Sequence, residues 1–354
     1  MERENNIRKT IFFDRLLFLM EVLIVFIGIY LFMLVPAFLS LILDQNSVLF
    51  PPLVFSLRAI MIFLAVPIFL LLSNIVMESQ RKQLIVEEDI NPFKGHMKLY
   101  SIKKKNYKYQ ILYGLLIFFI VFVPLDFFTY LLNPEMLDFY AEILPSSSTG
   151  SHFNQNYFIF LISVIIIQVS VAFYEETLSR GFLTKRGAEN FNKISAVIIA
   201  SLYFGLMHWA YIFEPISAKY PWYFPIIFLL QAFFIGMILS LLIVRKKWIF
   251  PLILAHALNN IISSHAIWYH IRGWQFGSIT LVLYLPLLII GLILLLWKFS
   301  IVKEGLIQGW KDLKEYGKID KQRVESTAVL FLIIVADLLM GFIIFVLGLF
   351  VFRI

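Results

Sequence analysis

Apolar residues in this chain come in long unbroken runs rather than in stripes. Nine such runs stand at roughly 16–43, 52–77, 110–133, 157–184, 194–212, 222–244, 248–267, 277–298 and 327–351. Each is close to the length of about 20 residues that a helix needs to cross a bilayer core. They are hydrophobic all round, which fits membrane spans and not the amphipathic helices of a soluble domain. The pattern predicts an all-α fold: a polytopic transmembrane helical bundle of about nine spans. The polar start MERENNIRKT precedes a run too long for a signal-peptide core, so the first run is expected to be a retained span. Pro134–Asn156 is the longest loop on the far side. Phe299–Ser326 is a polar segment on the near side that reads as a linker to an appended last span, and GWKDLKEYGKIDKQ within it is expected to form a short surface helix.

Composition agrees. The chain is 60% hydrophobic and 15% charged, with a mean hydropathy of +0.85, far from a soluble average. The net charge of +7 does not point to nucleic acid, because the basic residues follow the loops. Four Lys/Arg lie in 1–15, eight in 78–109, four in 180–193, three in 245–247 and seven in 298–326. The alternate segments hold only Lys219, Arg272 and Arg353, and Arg58 falls inside a span. This asymmetry predicts a cytoplasmic N-terminus and an outward C-terminus. The Lys103–Lys105 loop is read first as a topology determinant, with contact to anionic headgroups as a further role. There is no cysteine, which excludes disulfides, thiolate catalysis and Cys-ligated zinc.

Ionisable groups inside spans cost a few kcal/mol each and need a reason. Glu21 and Arg58 lie near span ends, where snorkelling or a neighbouring charge accounts for them. Asp126, in VPLDFF, sits at a depth similar to Arg58, its expected partner. Asp337 stands among apolar residues as a helix-packing contact. His96, His152 and His270 read as solvated or interfacial, and His265 as structural, half a turn round the helix from His256. A second set is different. Glu176 and Arg180 are spaced i, i+4, so one carboxylate can be held while Glu175 faces elsewhere. Phe204 and His208 share one face, as do His256 and Asn260. At 1.5 Å per residue from the near ends of their runs, Glu175, His256 and His208 lie roughly 14, 12 and 21 Å deep. His208 is thus about a turn deeper than the others, and the site is expected in the cytoplasmic half of the bilayer.

Three motifs, Glu175-Glu176-Thr-Leu-Ser-Arg180, Phe204-Gly-Leu-Met-His208 and His256-Ala-Leu-Asn-Asn260, resemble those of the CAAX prenyl endopeptidase and bacteriocin-processing (CPBP, or Abi) family of intramembrane proteases. RGFL after the first motif resembles the family's common continuation. The likeness covers about 157–270. It implies a glutamate-dependent endopeptidase in which Glu175 and His208 activate a water, His256 and Asn260 bind the oxyanion, and Arg180 holds Glu176. Phe204 would be a supporting residue. The resemblance divides the chain into 1–156, a core at 157–298, and 299–354. Implied partners are the lipid bilayer and a peptide or membrane-anchored protein. A composition rich in Ile, Phe and Lys suggests a low-GC bacterium, where the resemblance implies peptide maturation or bacteriocin immunity at the cell membrane.

No cofactor is expected. H-E-x-x-H is absent and Asn is not a usual zinc ligand, although a His₂Glu site stays open as an alternative. Two rival readings are a non-catalytic scaffold or immunity factor that binds a peptide, and a proton path built from buried Glu, His and Arg.

Overall fold

The computed structural model of the chain describes residues 2–81, 92–147, 149–213, 215–316 and 327–352, and helix dominates throughout, with no strand among these residues. The long helices are α1 (Glu2–Ile42) and α2 (Phe50–Arg81). A short α3 (Pro92–Lys98) leads to α4 (Tyr107–Leu132), and α5 (Glu135–Ser146) caps the far end. Then come α6 (Tyr157–Asn190), α7 (Lys193–Trp209), α8 (Phe224–Lys246) and α9 (Phe250–Ile271). The last three are α10 (Phe276–Trp297), α11 (Phe299–Tyr316) and α12 (Thr327–Phe352).

Helices stand at all nine apolar runs, but among the described residues only seven are both long and apolar enough to cross a membrane by themselves. The two that fall short are α7 and α9. At 17 residues, α7 reaches only about 25 Å, less than the bilayer core of about 30 Å. Polar residues interrupt α9, in LAHALNNIISSH. Two of the three motifs lie on these helices. Their polarity fits protein surroundings, and α7 is packed among α6, α8 and α12.

In the bundle, α1 lies between α2 and α12, α12 rests on α7, and α6 lies between α2 and α9. The backbones of α7 and α8 approach closely. A Cβ on Gly205 would come within 2.8 Å of the Leu229 carbonyl, and one on Gly236 within 3.1 Å of the Ser201 backbone. Small residues let helix backbones approach in lipid, where packing, not hydrophobicity, drives association.

Buried ion pairs tie distant helices together. Glu21, fully buried on α1, is gripped by Arg186 at 2.7 and 3.1 Å. Asp337 on α12 does not stand alone. It accepts from Arg15 on α1 at 2.9 Å and from the Tyr316 hydroxyl at 2.8 Å. The expected Arg58–Asp126 pair does not form. Asp126 instead accepts from Tyr284 at 2.6 Å and Ser263 at 3.1 Å. The polar loop near 299–326 is helical over α11, and the rest of GWKDLKEYGKIDKQ lies outside the described residues. The Arg245–Asp312 pair fixes α11 to the end of α8, leaving Phe299, Leu306 and Trp310 exposed beside lysines, as on a helix lying in a membrane interface.

Candidate active site

The first motif does not sit on a regular α-helix. From Thr177 to Thr184, α6 winds as a π-helix, a form often found at functional sites. Two threonine hydroxyls support it. Thr177 Oγ1 donates to the Phe173 carbonyl at 2.6 Å, and Thr184 Oγ1 to the Ser179 carbonyl at 2.9 Å. The Glu176–Arg180 contact expected from i, i+4 spacing survives the wider winding, with Arg180 Nη1 donating to Glu176 Oε1 at 3.0 Å. Both side chains are buried, and Arg180 is the largest fully buried residue among those described.

Phe204 completes this support. Its ring lies 4.1 Å from the Arg180 guanidinium carbon, a desolvated cation–π contact. The same ring is 4.6 Å from His208 and edge-on to His256 at 6.1 Å. His256 is further stacked on Phe122 of α4. One phenyl ring therefore touches a member of each motif.

The histidine tautomers follow from their partners. His208 Nδ1 lies 2.8 Å from the Phe204 carbonyl, which can only accept. Nδ1 therefore carries the proton, and in the neutral ring Nε2 holds the lone pair. His256 Nδ1 donates to Glu176 Oε1 at 2.8 Å, while its Nε2 stands 3.7 Å from Glu175 Oε2. His256 thus faces both carboxylates of the pair. Its Nδ1 is committed to Glu176, so only Nε2 is left to act on a substrate. Asn260 lies half-buried one turn further along α9 and accepts from Asn259 at 3.5 Å. No hydrogen bond or ring contact ties it to the cluster.

Glu175 differs from Glu176 in access. Its side chain is 25% exposed against 0% for Glu176. It lines a cavity of about 300 Å³ with His208, Tyr174, Ser179, Tyr203 and Phe204. The far walls come from Met33 of α1, Arg58 and Ile62 of α2, and Leu349 of α12. The first two spans and the last one are therefore part of the cavity. Sequence reasoning had no means to see this, because α1, α2 and α12 carry none of the motifs.

The depth mismatch between Glu175 and His208 also resolves. The helix carrying Glu175 does not end at Thr184 but continues to Asn190. Glu175 to Asn190 and Lys193 to His208 are both fifteen residues, so the two side chains lie at one level, roughly 22 Å from the turn joining α6 and α7.

Two of the histidines read as solvated or interfacial are buried instead. His152 packs between Phe153 and Phe160. His96, on α3, reaches the π-helix, and its Nδ1 donates to the Gly181 carbonyl at 3.2 Å. A Cβ at Gly181 would meet Ile249 Cδ1 at 3.1 Å and His96 Cε1 at 3.2 Å, which is a physical reason for the glycine in RGFL. Tyr100, one turn beyond His96, donates to Thr177 Oγ1 at 2.7 Å. A sequence signal existed: His96 and Tyr100 share the i, i+4 spacing of a helix face.

Burial lowers the His96 pKa from its ordinary 6.5 to about 4, with the bond to the Gly181 carbonyl opposing the shift. The unfolded chain takes up this proton near pH 6.5, while the folded one resists it until about pH 4. Stability is therefore expected in full above about pH 6.5, falling by roughly 3 kcal/mol towards pH 4 and level below that. Melting curves across this range should show the slope, and His96→Gln should flatten it. An unchanged slope in that variant would assign it to other groups.

Among the described residues no three His, Asp or Glu side chains gather in a way that could hold a metal ion. The amide of Asn260 is a poor zinc ligand.

A family model described as type II CAAX prenyl endopeptidase Rce1-like matches residues 157–262. The likeness to that family is confined to this segment. The match spans α6, α7 and α8 and reaches His256 and Asn260 on α9, in agreement with the CPBP resemblance of the motifs. No curated protein and no solved structure matches the chain. The Rce1-like match and the membrane helices together support a multi-pass membrane protease at the level of the family.

Proposed function

We propose that the protein is an intramembrane endopeptidase that cuts a membrane-associated peptide or protein with a water activated by Glu175 and His208. The observation that carries this reading is the shared cavity: an accessible carboxylate and a histidine with a free Nε2 line one partly apolar space within the bundle. Glu175 takes a proton from the water, and His208 Nε2 orients it. The hydroxide adds to the peptide carbonyl, and the negative charge formed on oxygen needs donors set in place beforehand. Because His256 Nδ1 donates to Glu176, His256 can serve here only when its Nε2 carries a proton as well. Asn260 is assigned by its motif, one turn away on the same helix. The proton held by Glu175 then passes to the leaving amine. Glu176, Arg180 and Phe204 act by position, fixing the π-helix and His256. No step is routed through a metal.

We further take the chain to cross the membrane nine times with a cytoplasmic N-terminus, and 157–298 to be the catalytic core, with 1–156 and 299–354 flanking it. Peptide maturation or bacteriocin immunity in a bacterial cell membrane is the setting this reading favours. A non-catalytic scaffold is the alternative.

The test uses the full chain in lipid nanodiscs with an internally quenched, S-farnesylated peptide ending in a CAAX sequence. A pool of membrane peptide precursors is read in parallel by mass spectrometry. Wild-type cleavage is expected, with His208→Ala slower by about 100-fold or more and chelators without effect. No cleavage of either substrate set would favour the scaffold. Cleavage lost to a chelator and restored by zinc would replace the mechanism.

A further inference from the structure

Arg58 has no role in the motifs. It belongs to α2, outside the Rce1-like segment, yet it lines the cavity with Glu175 and His208. Its guanidinium carbon lies 5.7 Å from the Phe55 ring, and its Nε is buried without a hydrogen-bond partner. No carboxylate among the described residues pairs with it. Every comparable cation is matched: Arg15 by Asp337, Arg180 by Glu176, Arg186 by Glu21, and Arg245 by Asp312. Asp126 is already occupied by Tyr284 and Ser263.

A guanidinium always carries its charge, and its planar fork of donors matches a carboxylate in two parallel bonds. Holding that charge in a membrane bundle without a partner is unfavourable. Met33, Ile62, Leu178, Met207 and Leu349 make much of the remaining wall apolar, with Tyr174, Ser179 and Tyr203 also lining it. The cavity thus suits an apolar chain with one anionic end, that end lying at Arg58 and the reactive water at Glu175.

Building on the proposed protease reading, we propose that Arg58 binds the free C-terminal carboxylate of the substrate peptide, so that the bond cut is set by its distance from that end. Arg58 is then a specificity residue supplied by a span outside the matched core. A lipid phosphate offers similar chemistry, and the test separates the two.

The full chain is placed in nanodiscs of phosphatidylcholine, with or without phosphatidylglycerol, and given the farnesylated CAAX peptide as free acid or as C-terminal amide. Wild type is expected to favour the acid in kcat/KM by about tenfold or more, the scale of a charge-assisted bond. Arg58→Gln should lose about 10–100-fold on the acid and little on the amide, with Arg58→Lys between. Equal cutting of acid and amide by wild type overturns the proposal. So does an equal loss on both in Arg58→Gln, and if that loss follows phosphatidylglycerol, the site is a headgroup site. Binding of the two peptides to Glu175→Gln protein, with and without Arg58→Gln, keeps the question separate from hydrolysis. There, a preference for the acid that vanishes with Arg58 supports the proposal even if no cleavage is seen, and equal affinities overturn it. Melting curves of Arg58→Lys and Arg58→Gln check that both are folded.

Discussion

Glu175→Gln is expected to stop hydrolysis and leave the protein folded. The amide keeps the size of the side chain but cannot take a proton from water. A positioned general base contributes about 10²–10⁴-fold, so kcat should fall by about 1,000-fold. Stability should barely change, because Glu175 has no hydrogen-bond partner for Oε2, which stands 3.7 Å from His256 Nε2. Glu176→Gln makes the contrast. Glu176 Oε1 accepts from both Arg180 and His256, so the same change one residue on weakens two buried contacts and should lower stability as well as activity. Single-turnover cleavage and melting temperature, measured on both variants, separate a base from a structural carboxylate. A Glu175→Gln protein that keeps a tenth or more of wild-type kcat would remove Glu175 from the chemistry.

Much of this contrast is legible in the sequence, and the reason is local. Spacing on a helix decides which side chains share a face, so the Glu176–Arg180 and Phe204–His208 contacts follow from i, i+4 counting alone. Long apolar runs likewise mark the helices. What counting cannot supply is which helix lies beside which. Arg186 meets Glu21 across 165 residues and Arg15 meets Asp337 across 322. Judged by depth alone, Arg58 and Asp126 looked like partners, but depth is one coordinate of three. The same limit hid Met33, Arg58 and Leu349 from the cavity. His96 was misread for a different reason. It precedes α4 in a stretch with no apolar period, and only the fold shows that this stretch turns back against the π-helix. The π-helix itself carries no plain signal, although threonines at 177 and 184 bond back to the carbonyls that the altered winding displaces.

The second large effect should come from Arg180. It is fully buried, yet only Nη1 finds an acceptor. Nε and Nη2 have none, and neither does Glu176 Oε2. A pair so poorly hydrogen-bonded recovers little of its desolvation cost, and the Phe204 ring supplies only part of the remainder. Arg180→Met should therefore cost about 3–5 kcal/mol, mostly because it strands the Glu176 charge and not because a strong bond is lost. The double variant Glu176→Gln/Arg180→Met removes both charges and leaves an amide oxygen to accept from His256 Nδ1. It should regain most of that loss, since replacing a buried pair with neutral residues of like volume is often neutral or stabilising. Cleavage should not return with the fold, because a neutral acceptor holds His256 less firmly than a carboxylate. Unfolding of the three proteins by denaturing detergent, read beside kcat, decides the matter. If the double variant is no more stable than Arg180→Met, the guanidinium stabilises the fold in its own right, and its role is structural first. If stability returns while cleavage stays low, the ion pair is kept for the geometry it imposes on His256 and Glu175.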